Sequence, residues 1–176
     1  NERMRLVKRI CSMGRAARAK AQIKVRQPVN RVYVKTRTLA EHIVLRNSRL
    51  LLEELNAEGL GELTDDMMRT AVRMTVRPNL PVLGRRFGAE VAQIRNELAR
   101  LDPQSVVSTL EGRGKLDVAG HELTFDDVLI ETTGKAGFAV AADAGYVVAV
   151  DTTISRRLAD EGLARELVRR IQDMRR

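Results

Sequence analysis

Cysteine, histidine and aromatic residues are scarce in this sequence of 176 residues: one Cys, two His, no Trp, two Tyr and three Phe. The single thiol, Cys11, leaves no partner for an internal disulfide. One cysteine with two well-separated histidines, His42 and His121, excludes a Cys/His zinc site. No apolar run approaches the ~18–20 residues needed to span a bilayer, and no secretory signal occupies the first residues. No membrane partner and a cytoplasmic location are therefore expected. Acid is missing from one stretch. Residues 1–37 hold 12 Lys/Arg and only Glu2 against them, a net +11, whereas the remaining 139 residues carry −3.

What is present is the composition of a soluble globular protein, 44% hydrophobic and 31% charged, which argues against disorder of the whole chain. The formal charge of +8 favours a nucleic acid or another acidic partner. Arginine supplies 25 of the 31 cations, which suits bidentate phosphate contacts and also fits a GC-rich genome.

Periodicity divides the chain into elements. From Glu2 to about Gln22, a 3.6-residue period puts Leu6, Val7, Ile10, Met13, Gly14, Ala17 and Ala21 on one side. Arg5, Lys8, Arg9, Arg15, Arg18 and Lys20 fall on the other. The narrow apolar side ends in small residues and calls for a close neighbour, expected to lie outside this chain. Cys11 sits at its edge as a small core hydrophobe. Pro28 requires the helix to end before Gln27.

From Val29 the period becomes two. Val32 and Val34 face inward, and Arg31, Tyr33 and Lys35 outward. Thr38-x-x-Glu41 is a capping box that opens a helix through about Asn56, which Gly59 and Gly61 break. Met68–Val76 alternates as a strand with Arg69, Arg73 and Arg77 outside, a stripe suited to cross-strand pairing with acids. Pro78 and Pro81 introduce an irregular loop up to Gly88. Helices follow at Ala89–Leu101 and after Asp102-Pro103. Hairpins are expected about Ala119-Gly120 and Asp143-Ala144-Gly145, and a last helix from Ser155 has Leu163, Leu167, Ile171 and Met174 on one face. Without regular βαβ alternation the class is α+β: a basic N-terminal helix, a mixed or antiparallel sheet with packed helices, and a C-terminal helix.

Catalytic patterns are missing. Gly112-Arg113-Gly114-Lys115 lacks phosphate-loop spacing, and Leu116 stands where the metal-binding hydroxyl belongs. There is no G-x-G-x-x-G, H-E-x-x-H or G-x-S-x-G. Thr124 with Asp127 reads as a helix cap, and His121 as a surface residue beside a turn. No catalytic residue, metal ligand or cofactor is assigned to this chain.

Two long motifs carry a resemblance. Gly14-Arg15 through Ile23-Lys24-Val25-Arg26-Gln27-Pro28 resembles the end of the anticodon-binding helical bundle of isoleucyl-tRNA synthetases. Glu161 through Arg175 is similar to that family's "EGLARELVRRIQ" helix. Glu53-Glu54-Leu55-Asn56, Arg77-Pro78-Asn79 and Leu83–Gly88 match between them, in order, and the subgroup resembled includes eukaryotic-type enzymes of some bacteria. The resemblance implies that residues 1–28 are the last helix of the bundle and 29–176 a C-terminal α+β domain, cut at both ends from a longer protein. It implies a full-length enzyme that activates isoleucine with ATP and Mg, esterifies it to its cognate tRNA, and edits valyl-tRNA. The HIGH-like and KMSKS-like motifs of that chemistry are absent here. The role expected of this piece is positional, with tRNA(Ile) and the remaining domains of the same chain as partners and a monomeric state. Candidate tRNA contacts, chosen from helix and strand geometry, are Arg15, Arg18, Lys20, Lys24 and Arg26, then Arg31, Tyr33 and Lys35. Two alternatives stay open: an autonomous RNA- or ribosome-associated module, and a protein-interaction scaffold.

Overall fold

The computed structural model describes residues 2–46 and 48–175. The class is α+β, and the chain divides into two compact units, Asn1–Arg73 with Thr133–Arg176, and Met74–Thr132.

The first unit is built on a four-stranded mixed sheet of order β2-β1-β8-β7. Strands β1 (Val29–Lys35) and β2 (Ala57–Glu62) run parallel; β8 (Tyr146–Asp151) is antiparallel to both β1 and β7 (Phe138–Asp143). The expected β7–β8 hairpin forms. Helix α1 (Glu2–Lys20) lays Val7, Ile10, Cys11, Met13 and Ala17 into one core with Val32, Val34, Ala139, Ala141, Val148 and Val150. Its neighbours are thus inside the chain: the sheet, and helix α3 (Arg49–Leu55). The small residues permit this closeness. A Cβ on Gly14 would lie 2.5 Å from a methyl of Leu55.

Helix α1 ends without help from Pro28. Ile23 N–H donates to Arg18 O and Gln22 N–H to Ala19 O, both at 3.0 Å, with Gln22 at φ 57°. This 6→1 and 5→2 pair about a left-handed residue is a Schellman turn.

The capping box at Thr38 is present in both directions, each bond 3.2 Å, and opens α2 (Leu39–Arg46). Ser48 precedes a separate helix, α3, so the single helix expected to Asn56 is two. Gly59 and Gly61 lie inside β2, a strand that its AEGLGE sequence conceals. Both glycines face side chains from β1: Arg31 pairs with Gly59 and Tyr33 with Gly61, and a Cβ at Gly61 would stand 2.8 Å from the Tyr33 ring.

The run expected as one strand over Met68–Val76 is α4 (Asp65–Ala71) followed by β3 (Val72–Pro78). Thr64 caps α4 by accepting from Met67 N–H, and Asp65 and Asp66 in the first turn favour the helix dipole. Helix α8 (Arg156–Met174) starts where expected, and Ser155 caps it, its hydroxyl accepting from Leu158 N–H at 3.3 Å. Leu158 and Gly162 are buried, but Leu163, Leu167, Ile171 and Met174 are exposed, so the apolar row does not pack on the described residues.

In the second unit the expected irregular loop is α5 (Leu80–Phe87). Pro81 occupies its first turn, where no N–H is required. A 3-10 turn (Gly88–Glu90), α6 (Val91–Leu98) and α7 (Pro103–Arg113) follow. Asp102 caps α7 as expected, accepting from Ser105 N–H at 2.8 Å. Gly114, at φ 72°, closes α7 before the hairpin β4 (Leu116–Val118)–β5 (His121–Leu123). The Gly112–Lys115 run is therefore a helix end and turn. Strand β6 (Val128–Gly134) pairs with β3. Leu83, Ile94, Leu98, Val106, Leu110, Val118, Leu123 and Val128 make this unit's core. Within it Asp127 is fully buried: its carboxylate accepts from Thr124 N–H at 2.8 Å and Thr124 Oγ1–H at 3.0 Å, and from the Arg86 guanidinium. Arg77 faces Glu131 across the strands at 3.9 Å, the pairing anticipated for it, but Arg69 lies in α4, so the expected stripe of Arg69, Arg73 and Arg77 on one strand does not form.

Candidate nucleic-acid interface

The basic residues of the first unit do not form one surface. Because α1 packs on the sheet face that carries Val32 and Val34, alternation places Arg31, Tyr33 and Lys35 on the opposite face. The strand therefore does not continue the helix's basic side. On that opposite face Arg31 is exposed beside Gly59. Tyr33 is half-buried, its ring over Gly61 and edge-on to Phe138 at 6.2 Å. Lys35 is half-buried beside them.

Arg18 corrects the helical reading most sharply. Expected on the outer side of α1, it is 1% exposed. Its guanidinium donates to the carbonyl oxygens of Leu55 (3.1 Å), Lys24 (2.5 Å), Val25 (3.3 Å) and Gln27. Burial pushes its pKa down from the ordinary arginine value. The missed signal lies in the turn after α1. Once the Schellman bend folds residues 23–27 back across the helix end, the outer side near residue 18 becomes interior.

Lys20 Nζ donates to Val140 O at 3.0 Å, toward β7 and away from the turn. Arg15 is exposed and pairs with Glu54; Arg26 is exposed, 3.9 Å from Glu166; Lys24 is exposed. Arg15, Lys24 and Arg26 thus surround the end of α1 and the turn at 24–27.

Several side chains not selected from sequence build that turn. Asn56, left-handed at the end of α3 (φ 47°), donates its amide to Val25 O (3.2 Å) and Arg26 O (2.8 Å). Its Oδ1 accepts from Arg165 of α8. Gln27 donates to Leu158 O at 2.7 Å, and Gly162 leaves room for its amide. A groove beside the turn is lined by Val25, Arg26, Asn56, Arg165, Val168 and Arg169. Segments 14–28, 53–56 and 161–172, separate in sequence, meet here. A second cluster gathers Arg9 and Arg37 against Tyr146, whose hydroxyl donates to Glu41 at 2.6 Å.

Over 98% of its length the chain is 34% identical to the isoleucine–tRNA ligase of Deinococcus radiodurans. The chain is a region of the isoleucine–tRNA ligase family. Isoleucine–tRNA ligases of Clostridium tetani (32% identity, 95% of this chain) and Streptomyces avermitilis (34%, 99% of this chain) are similar in the same way. The chain spans only 16–17% of the length of these three ligases. No family model matches it.

Among the described residues no group of three or more His, Cys, Asp or Glu is placed to hold a metal ion, and no helix is long and apolar enough to cross a membrane. His121, in β5, lies 3.1 Å from Glu90 with its ring against Phe87 at 4.7 Å.

Proposed function

We propose that this chain is a tRNA-positioning part of a cytoplasmic isoleucine–tRNA ligase, binding the anticodon arm of tRNA(Ile) through phosphates while the reaction proceeds elsewhere in the full-length enzyme. The observation that carries the reading is the exposed cationic rim of Arg15, Lys24 and Arg26, in a chain homologous to these ligases. Exposed guanidinium and ammonium groups suit contacts to phosphodiesters, and their affinity is electrostatic and salt-dependent. Arg31, Tyr33 and Lys35 belong to a separate sheet face and form a second contact zone in this reading. Lys20 contributes from the side toward β7. Arg18 has no surface with which to touch RNA and is withdrawn from the contacts. ATP and Mg act, in this reading, in parts of the ligase outside this chain, which itself carries no chemistry and works as a monomer.

Titration of the chain with a tRNA(Ile) transcript over a salt series tests the proposal. The expected result is an affinity that falls linearly in log–log form as salt rises, and that weakens when Arg15 is replaced by Ala. Salt-independent binding, or none, sinks the reading in favour of a structural or protein-interaction role.

A further inference from the structure

We infer that residues 24–26 form a phosphodiester-binding turn, with Arg18 and Asn56 as positioning residues that hold it open; this rests on the tRNA reading above. Four consecutive carbonyl oxygens, those of Lys24, Val25, Arg26 and Gln27, are captured by side chains behind the turn. Arg18 takes those of residues 24, 25 and 27, and Asn56 those of 25 and 26. A Gln27 N–H bond to Lys24 O at 3.0 Å closes the turn. Among the described residues the backbone N–H groups of Lys24, Val25 and Arg26 donate no hydrogen bond. Carbonyl dipoles drawn inward and unpaired amides in succession leave the turn a donor-rich, electropositive surface, the arrangement that binds anions. Lys24 and Arg26 add two exposed cations to the same three residues, and Val25, 58% exposed, stands between them.

The surrounding acids are largely committed. Glu54 is held by Arg15 and Glu53 by Arg49 at 2.9 Å, whereas Glu166 lies between Arg170 at 3.7 Å and Arg26 at 3.9 Å, a loose pair with each. A phosphate competes with Glu166 for Arg26 at little cost, since a pair at that distance is weak. A phosphodiester therefore finds three amides and two cations, and the exposed flank of Val25 and Val168 offers an apolar surface for the adjoining base. Arg18 supplies no contact of its own. Its substitution acts only by releasing the carbonyls.

Amide-resolved NMR on the chain, with tRNA(Ile) transcript and separately with inorganic phosphate, tests this. The expected result is a shift of the amide signals of residues 24–26 with RNA, and smaller shifts in the same direction with phosphate. Lys24→Ala with Arg26→Ala is expected to weaken tRNA binding at least tenfold and lower the log–log salt slope by about 1.5. Arg18→Lys is expected to weaken binding in the parent chain and again in that double variant, where the amides of the turn still depend on Arg18 for their placement. RNA shifts without phosphate shifts support the turn and assign its ligand as polymeric RNA rather than a free anion. If tRNA binds with salt dependence while these amides stay still and the double variant binds normally, the turn is refuted and the tRNA reading survives. If tRNA does not bind, both fall. Should Arg18→Lys fail to fold, the two surface substitutions still decide the matter.

Discussion

Arg15 and Arg18 stand three residues apart on one helix and do different work. Arg15 pairs with Glu54 in solvent, where an exposed ion pair contributes at most about 1 kcal/mol. Arg18→Met leaves the carbonyls of Leu55 and Gln27 without a donor, each costing about 1–3 kcal/mol, while Lys24 O keeps the Gln27 N–H and Val25 O keeps the Asn56 amide. Urea denaturation is expected to show a loss of roughly 2–4 kcal/mol for Arg18→Met, and one below about 1 kcal/mol for Arg15→Ala. Equal losses would refute this difference. Asp127 carries the pH dependence of the second unit. Burial pushes its carboxyl pKa up, but the Arg86 hydrogen bond, the Thr124 bonds and the Arg86 charge outweigh burial and hold it below the ordinary value. A depressed folded pKa contributes stability that is fully present above the unfolded value of about 4, and lost as pH falls through the folded one. Asp127→Asn is expected to flatten this acid limb in denaturation curves measured between pH 6 and pH 2; an unchanged slope counts against it.

Among the elements, caps and hairpins were legible because their signals are local. Thr38/Glu41, Asp102-Pro103, Ser155 and the turn at Asp143–Gly145 each read true within a few residues. Strand β2 was illegible because its glycines answer to Arg31 and Tyr33 of another strand, information absent from its own six residues. The Met68–Val76 run misled because apolar residues at the end of α4 lead directly into β3, and their sum imitates alternation. Glycine substitutions separate packed from open helix positions. Gly14→Val forces α1 off Leu55 and is expected to cost about 1–3 kcal/mol. Gly112→Ala, in the last turn of α7 with nothing near its Cβ, should gain about 0.5–1 kcal/mol. Thermal melts of the two variants check both signs.

For the whole molecule, the division into units makes a prediction of its own. Arg73 and Thr133, the ends of the first unit's gap, are joined by a Thr133 Oγ1–H bond to Arg73 O at 3.5 Å. Replacing residues 74–132 by a short Gly/Ser linker should therefore leave a folded first unit with a dispersed amide spectrum, whereas a collapsed spectrum would mean that its core depends on the excised residues. By itself the sequence determined the α+β class, the basic segment, the apolar side of α1 and most helix starts, because these rest on periodicity and on bonds within four residues. Its motifs also pointed to the isoleucyl-tRNA synthetases. Only the tertiary structure decided that α1 packs on this chain's own sheet, that Arg18 is interior, and that three separated motifs meet at the turn of residues 24–27. Those outcomes depend on where the chain returns after a bend, and no local pattern encodes which face of a helix a returning turn will cover. The +11 segment of 37 residues is thus divided among a buried arginine, a cationic rim and an opposite sheet face.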